Sequence, residues 1–139
     1  MTAYRHEYKH EINTSEFITL SMRLNSALKA DEFARADGAY EITSLYFDDV
    51  YGTALKEKLN GVSCRDKFRL RRYNNDTEHI KLEKKSKRGS LCLKESAAIT
   101  STQAQSIIGG DIDFLAARGG VMAELYSAVL VSYNGEYMG

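Results

Sequence analysis

Between Ser63 and Ser96 the chain reads SCRDKFRLRRYNNDTEHIKLEKKSKRGSLCLKES, and its charges keep the parity of a β-strand. Arg65, Lys67, Arg69 and Arg71 hold odd positions, while Cys64, Phe68 and Leu70 hold even ones. Successive strand residues point to opposite faces, so four cations project one way and the apolar residues the other. The next run repeats the device. Ile80 and Leu82 share one face; Lys81, Glu83, Lys85 and Lys87 share the other. A third run, Leu91 to Glu95, sets Lys94 opposite its leucines. Adjacent strands lie about 4.8 Å apart, so these faces merge into one dense cationic surface. Like charges directly opposite destabilise a sheet, and the simplest relief is a bound polyanion.

The formal net charge of the 139 residues is zero, which hides an asymmetry. Residues 55–95 hold 13 of the 19 lysines and arginines but 6 of the 19 aspartates and glutamates. One basic element thus sits on an acidic body, unlike a protein that coats nucleic acid through overall positive charge. The length suits one domain with a real core, over residues 1–139. No charged leader precedes an apolar run, no apolar stretch is long enough to span a bilayer, and the only cysteines are Cys64 and Cys92. A cytoplasmic protein with reduced thiols is the expectation.

Taken in order, Tyr4 to Ile12 reads as a strand with Arg5, Glu7, Lys9 and Glu11 on one face. Asn13 to Ala30 reads as an amphipathic helix capped by Asn13 or Thr14, with Glu16 at its positive end and Phe17, Ile18, Leu20, Leu24, Ala27 and Leu28 as its apolar stripe. A polar loop from Asp31 to Ala39 follows, turning at Gly38. Glu41 to Asp48 is a second strand, and Asp49 to Leu59 contains a short helix before the Asn60-Gly61 turn. The basic strands come next, linked by the turns Asn74-Asn75-Asp76 and Lys87-Arg88-Gly89. Thr100 or Ser101 starts a helix ending at Gly109-Gly110. Asp111 to Ala117 and Val121 to Ala128 form two more helical pieces. Val129 to Tyr133 reads as a last strand, and the tail from Asn134 has no clear character. The class is α+β, with mostly antiparallel strands and helices packed outside.

A sheet face rich in Lys, Arg and Glu is ordinarily a solvated face. Solvated faces mix signs, however, and Arg65, Lys67, Arg69 and Arg71 have no acid among them. Phosphate fits such a face, since arginine binds its oxygens bidentately and lysine acts as a point charge. His6 and His10 are too far apart along an extended strand to chelate one ion easily, and they read as packing or surface residues. Cys64 and Cys92 read as small hydrophobes. Glu7, Glu11, Asp48 and Glu83 are the acids that could hold a metal beside phosphate, and charge balance for neighbouring cations explains them about equally well. There is no P-loop, no glycine-rich nucleotide fingerprint and no Ser-His-Asp signature.

The order of these motifs carries more than any one of them. Tyr4-Arg5-His6-Glu7-Tyr8-Lys9 opens the chain, and Ser44-Leu45-Tyr46-Phe47-Asp48-Asp49 follows the first helix. Arg65 to Tyr73, then Lys81-Leu82-Glu83-Lys84-Lys85-Ser86-Lys87, then Lys94 complete the series. From about Tyr4 to Tyr133 the chain resembles the VTC domain, the catalytic domain of the vacuolar transporter chaperone complex and its bacterial polyphosphate-polymerase-like relatives. These belong to the triphosphate tunnel metalloenzyme (CYTH-like) superfamily. The resemblance implies an antiparallel β-barrel tunnel with cationic walls, helices outside and a divalent metal, Mn²⁺ or Mg²⁺. It also implies transfer of the terminal phosphate of ATP onto polyphosphate. Arg5, Lys9, Lys67, Arg69, Arg71, Lys85 and Lys94 would bind phosphate, with Arg69, Arg71 and Lys85 at the chemistry. Glu7 and Glu83 are the expected metal ligands.

Two departures from the family matter. An arginine usual after the strand ending at Tyr133 is replaced by Asn134-Gly135-Glu136, and the family's later strands, one with a metal-binding acid, do not follow. The expectation is an incomplete barrel, closed by self-association or by another polypeptide. Three functions then compete: phosphoryl transfer to polyphosphate or water, turnover-free binding of triphosphate, polyphosphate or inositol polyphosphate, and single-stranded nucleic-acid binding with Tyr46, Phe68 and Tyr73 as stacking platforms. Phe68 faces away from the cations, which argues against the third, and no nucleic acid is expected as a partner.

Overall fold

A computed structural model describes residues 3–32, 34, 36, 38–49 and 51–133. The basic segment folds as read. Three long strands, β3 (Cys64–Tyr73), β4 (Ile80–Arg88) and β5 (Leu91–Ile99), form an antiparallel meander. The β3–β4 connection opens with Asn74 and Asn75, both at positive φ, and Asp76 N–H donates to the Tyr73 carbonyl at 2.8 Å. Positive φ at both central positions makes the primed turn whose twist suits a hairpin, and asparagine tolerates it. Gly89 and Ser90 alone join Arg88 to Leu91, with Gly89 at φ +61°.

Two shorter strands complete the sheet. β2 (Ile42–Tyr46) pairs with β3, and β1 (Arg5–His6) pairs with β5, giving the order β1-β5-β4-β3-β2. Among the described residues the sheet has two open edges and is not closed into a barrel. The strand expected over Tyr4 to Ile12 is thus cut to two residues. Only Arg5 and His6 find ladder partners, Cys92 and Leu91, at the end of β5.

The core lies on the face away from the cations. Leu70, Ile80, Leu82 and Ile99 meet Ala104 and Ile107 of α3 (Ser101–Ile108), Leu115 of α4 (Asp113–Ala116), and Val121, Met122 and Leu125 of α5 (Val121–Tyr133). Thr100 caps α3: its hydroxyl accepts from Gln103 N–H at 3.2 Å, and the Gln103 side chain accepts from Thr100 N–H at 3.0 Å. The last strand expected over Val129 to Tyr133 does not form. These residues prolong α5, because Val121, Met122, Leu125 and Val129 recur at helical spacing against the core, and that packing overrides local β-propensity.

α1 (Thr14–Ala27) is capped by Asn13, which exchanges bonds with Glu16 at 3.0 and 2.8 Å in a capping box. Its apolar stripe is not buried: Phe17, Ile18, Leu20, Leu24 and Leu28 are 41–64% exposed. The core is filled from α3, α4 and α5 instead, so amphipathic spacing in α1 gains no burial among the described residues. The helix expected within Asp49 to Leu59 is α2 (Thr53–Leu59). The loop from Asp31 to Ala39 is described only in part, and the tail from Asn134 lies outside the described residues. No helix among the described residues is long and apolar enough to cross a membrane.

Candidate functional site

Antiparallel register places directly opposed residues on one face, so it orders the cations into rows. Arg65 faces Lys87, which faces Cys92, which faces Arg5. Lys67 faces Lys85, which faces Lys94. Tyr46 faces Arg69, which faces Glu83, which faces Ser96. Ser44 faces Arg71, which faces Lys81. Every expected phosphate-binding residue with a ladder position thus lies on the same face. Lys9 alone has none. It follows the end of β1 and lies 3.6 Å from Glu7 with its side chain 85% exposed. A pocket of about 380 Å³ opens on this face, lined by Glu7, Tyr8, Lys9, Arg65, Lys67, Lys85, Lys87, Gly89, Ser90 and Cys92. Tyr8 joins Glu7 and Lys9 there because the chain leaves the strand after His6 and parity lapses.

One buried acid organises the centre. Glu83 is 1% exposed. Its Oε2 accepts from Arg69 Nε at 2.7 Å and lies 2.7 Å from Arg69 Nη2 and 3.9 Å from Arg71 Nε. Its Oε1 has no hydrogen-bond partner among the described residues; Lys94 Nζ comes nearest among the ion pairs, at 3.6 Å. Arg69 also donates through Nη1 to the Tyr46 phenol oxygen at 2.9 Å, and its guanidinium carbon lies 5.7 Å from that ring's centre. Burial works against the Arg69 charge, but Tyr46 and Glu83 outweigh it and hold its pKa above the ordinary arginine value. The hydrogen bond from Arg69 in turn holds the Tyr46 phenol below the usual tyrosine range. Arg71 donates to the Ser44 hydroxyl at 3.2 Å.

Toward the pocket Glu7 is the acid among the lining residues. Lys85 donates to Glu7 Oε2 at 2.5 Å, and this bond holds the Glu7 carboxyl below its usual range. Lys67 has no acid within ion-pair distance among the described residues. Burial, then Arg65 and Lys58, push its ammonium below the ordinary lysine pKa. Arg65 Nη1 donates to the Val62 carbonyl at 2.8 Å, while its Nε is buried and unpartnered.

Several sequence readings change here. Cys64, read as a small hydrophobe, is exposed, whereas Cys92 is buried as that reading expects, on the cationic face between Lys87 and Arg5, where it lines the pocket. Asp48 is committed to α2: its Oδ1 accepts from Ala54 N–H at 2.8 Å and its Oδ2 from Leu55 N–H at 3.1 Å. Asp49 caps beside it, accepting from Thr53 N–H at 2.9 Å. The two aspartates thus satisfy a helix N-terminus. Glu11 is exposed on the segment after β1. Among the described residues no three His, Cys, Asp or Glu side chains gather around a point where one metal could sit. Phe68 does face away and packs against the core, whereas Tyr46 and Tyr73 share the face of the cations. Tyr46 escaped notice as the partner of Arg69, although its parity with Ser44 already placed it on one side of β2.

Comparison with known protein families matches residues 4–133 to the family model described as VTC domain. No curated protein matches the chain.

Proposed function

The chain belongs to the VTC-domain family, and we propose that its cationic sheet face grips polyphosphate and moves the terminal phosphate of ATP onto that polymer. One observation carries the reading: Lys67, Lys85 and Lys94 stand directly opposite one another across three strands, and among the described residues only Lys85 of the three has a carboxylate within 3 Å. Such a row is destabilising by itself and is relieved by an anion that repeats along it. In this reading Arg69, Arg71 and Lys85 hold the transferring phosphoryl group, while Arg5, Lys9, Lys67 and Lys94 hold the chain on either side. Their contribution is orientation and charge neutralisation, which is most of what phosphoryl transfer asks of a protein. The open sheet would be one wall of a tunnel, closed by strands added at its β1 and β2 edges.

A divalent cation, Mg²⁺ or Mn²⁺, fits one of its two expected ligands directly. Among the described residues Glu83 keeps a buried oxygen with no hydrogen bond, with Lys94 Nζ 3.6 Å away, and a divalent cation would satisfy it. Glu7 fits only after Lys85 lets it go. Bound there, the ion would offset charge on the transferred group.

Both carboxylates are engaged by cations, Glu83 by Arg69 and Glu7 by Lys85. This favours a second reading, in which the face binds triphosphate or polyphosphate without turnover. A thermal melt with tripolyphosphate, with and without Mn²⁺, against sulfate at matched ionic strength tests both. Ligand at 100 times its Kd should stabilise the fold by about 2.7 kcal/mol, and no shift would refute the phosphate site. Metal-dependent polymer made from labelled ATP would then favour transfer over binding. Failure of inorganic tripolyphosphate to displace a bound oligonucleotide would point to nucleic acid instead.

A further inference from the structure

We infer that Tyr46 is a positioning residue for the phosphate site, holding one arm of the Arg69 guanidinium while Glu83 holds the other. The inference rests on the reading of Arg69 as a phosphate-gripping residue and names the group that aims it. Arginine carries five N–H donors in a rigid planar fork. Glu83 Oε2 takes the Nε side at 2.7 Å, and the Tyr46 oxygen takes Nη1 at 2.9 Å. Two anchors on opposite sides of a planar group stop it from swinging or rotating. The donors left over on its terminal nitrogens then point in a set direction. Preorganised donors of this kind bind anions more strongly than mobile ones, because less side-chain freedom is lost on binding.

The supports are themselves well fixed. Glu83 is 1% exposed on the central strand β4. Tyr46 ends β2, directly opposite Arg69 in the ladder, with its ring beside the guanidinium. Immediately after it, Phe47 N–H donates to the Phe68 carbonyl at 3.1 Å, and Asp48 and Asp49 bind the N-terminus of α2. The strand end carrying Tyr46 is therefore tied on both sides. Because the phenol oxygen accepts from Arg69, its own hydrogen is free to point elsewhere. Arg71 contrasts with this: it meets the Ser44 hydroxyl at 3.2 Å and lies 3.9 Å from the same Glu83 oxygen that Arg69 holds.

The test uses Tyr46→Phe, which keeps the ring and removes the oxygen, and measures tripolyphosphate affinity by calorimetry at fixed ionic strength. The expected result is about a tenfold loss, in line with a hydrogen bond to a charged group, with the unfolding midpoint within about 2 °C of the unsubstituted chain. The same change in an Arg69→Lys background, which keeps the charge beside Glu83 but has no fork to aim, should cost less than about twofold. A Tyr46→Phe variant of unchanged affinity overturns the inference, and so does an equal loss in both backgrounds, which would make Tyr46 an independent contact. Nitrogen-15 spectra of the free chain supply a second readout: the Arg69 Nη–H signals should be resolved in the unsubstituted protein and collapse in Tyr46→Phe, and identical spectra overturn the clamp. Absence of tripolyphosphate binding by the unsubstituted chain is a different failure. It removes the phosphate site itself before any substitution is made.

Discussion

Lys67 and Lys84 sit near each other on neighbouring strands but on opposite faces of one sheet, and the chain treats them in opposite ways. Lys84 lies on the helix side. It bonds to Glu124 of α5, lies 3.5 Å from Asp66, and has the Phe68 ring beneath it at 5.9 Å. Burial opposes its charge, but the two acids win and hold its pKa above the ordinary lysine value. Asp66 is further shared with Arg88 at 2.8 and 3.2 Å. Lys67 faces the other way, opposite Lys85, and its pKa moves down. Cations that belong to the architecture are given acids from the same chain. Those on the open face are left crowded, with Glu83 and Glu7 the acids set among them. That difference is what the proposed phosphate site asks of the open face.

The largest expected effect tests the packed side. Leu82 is fully buried between the sheet and the helices, and Leu82→Ala should cost about 3 kcal/mol in urea unfolding. A loss under about 1 kcal/mol would mean that this face is not the core. Next come the two central arginines, which should part company. Arg69→Ala strands the buried Glu83 and should also cost about 3 kcal/mol. Arg71→Ala removes only a serine bond and a long contact, and should change stability by less than about 1 kcal/mol while weakening tripolyphosphate binding at least tenfold. Equal destabilisation by the two would show that Glu83 does not organise the site.

The smallest effect is the sharpest. Lys67→Thr should stabilise the chain by about 0.5 kcal/mol, by removing like charge opposite Lys85, and should weaken tripolyphosphate binding. pH supplies the companion measurement. Folding lowers the Lys67 pKa, so between the folded and unfolded values the unfolded chain binds more protons and stability rises with pH. A bound anion reverses the shift, so tripolyphosphate affinity should fall as pH rises through the lowered folded value. Lys67→Thr should erase that part of both profiles. If it lowers stability, or leaves both profiles intact, the lysine row is not frustrated in the free protein.

Much of this was legible from local rules. Strand parity assigned Arg65, Lys67, Arg69, Arg71, Lys81, Glu83, Lys85, Lys87 and Lys94 to one face, because side-chain alternation is a property of the backbone. The pairs Asn13-Thr14 and Thr100-Ser101 announced the starts of α1 and α3 for the same reason, capping being decided within four residues, and the structure selects Asn13 and Thr100. Tyr4 to Ile12 and Val129 to Tyr133 defeated local reading. A strand lasts only as far as a neighbour pairs with it, and a β-branched run stays helical when one side of the helix is packed. The exposed stripe of α1 and the place of Cys92 likewise depended on which elements met. Sequence alone thus settled which way the cations of the three basic strands point and how many there are. Tertiary structure decided which cations oppose one another, which of them Glu83 and Tyr46 hold, and which are left without an acid, since register and burial arise only when distant segments pair.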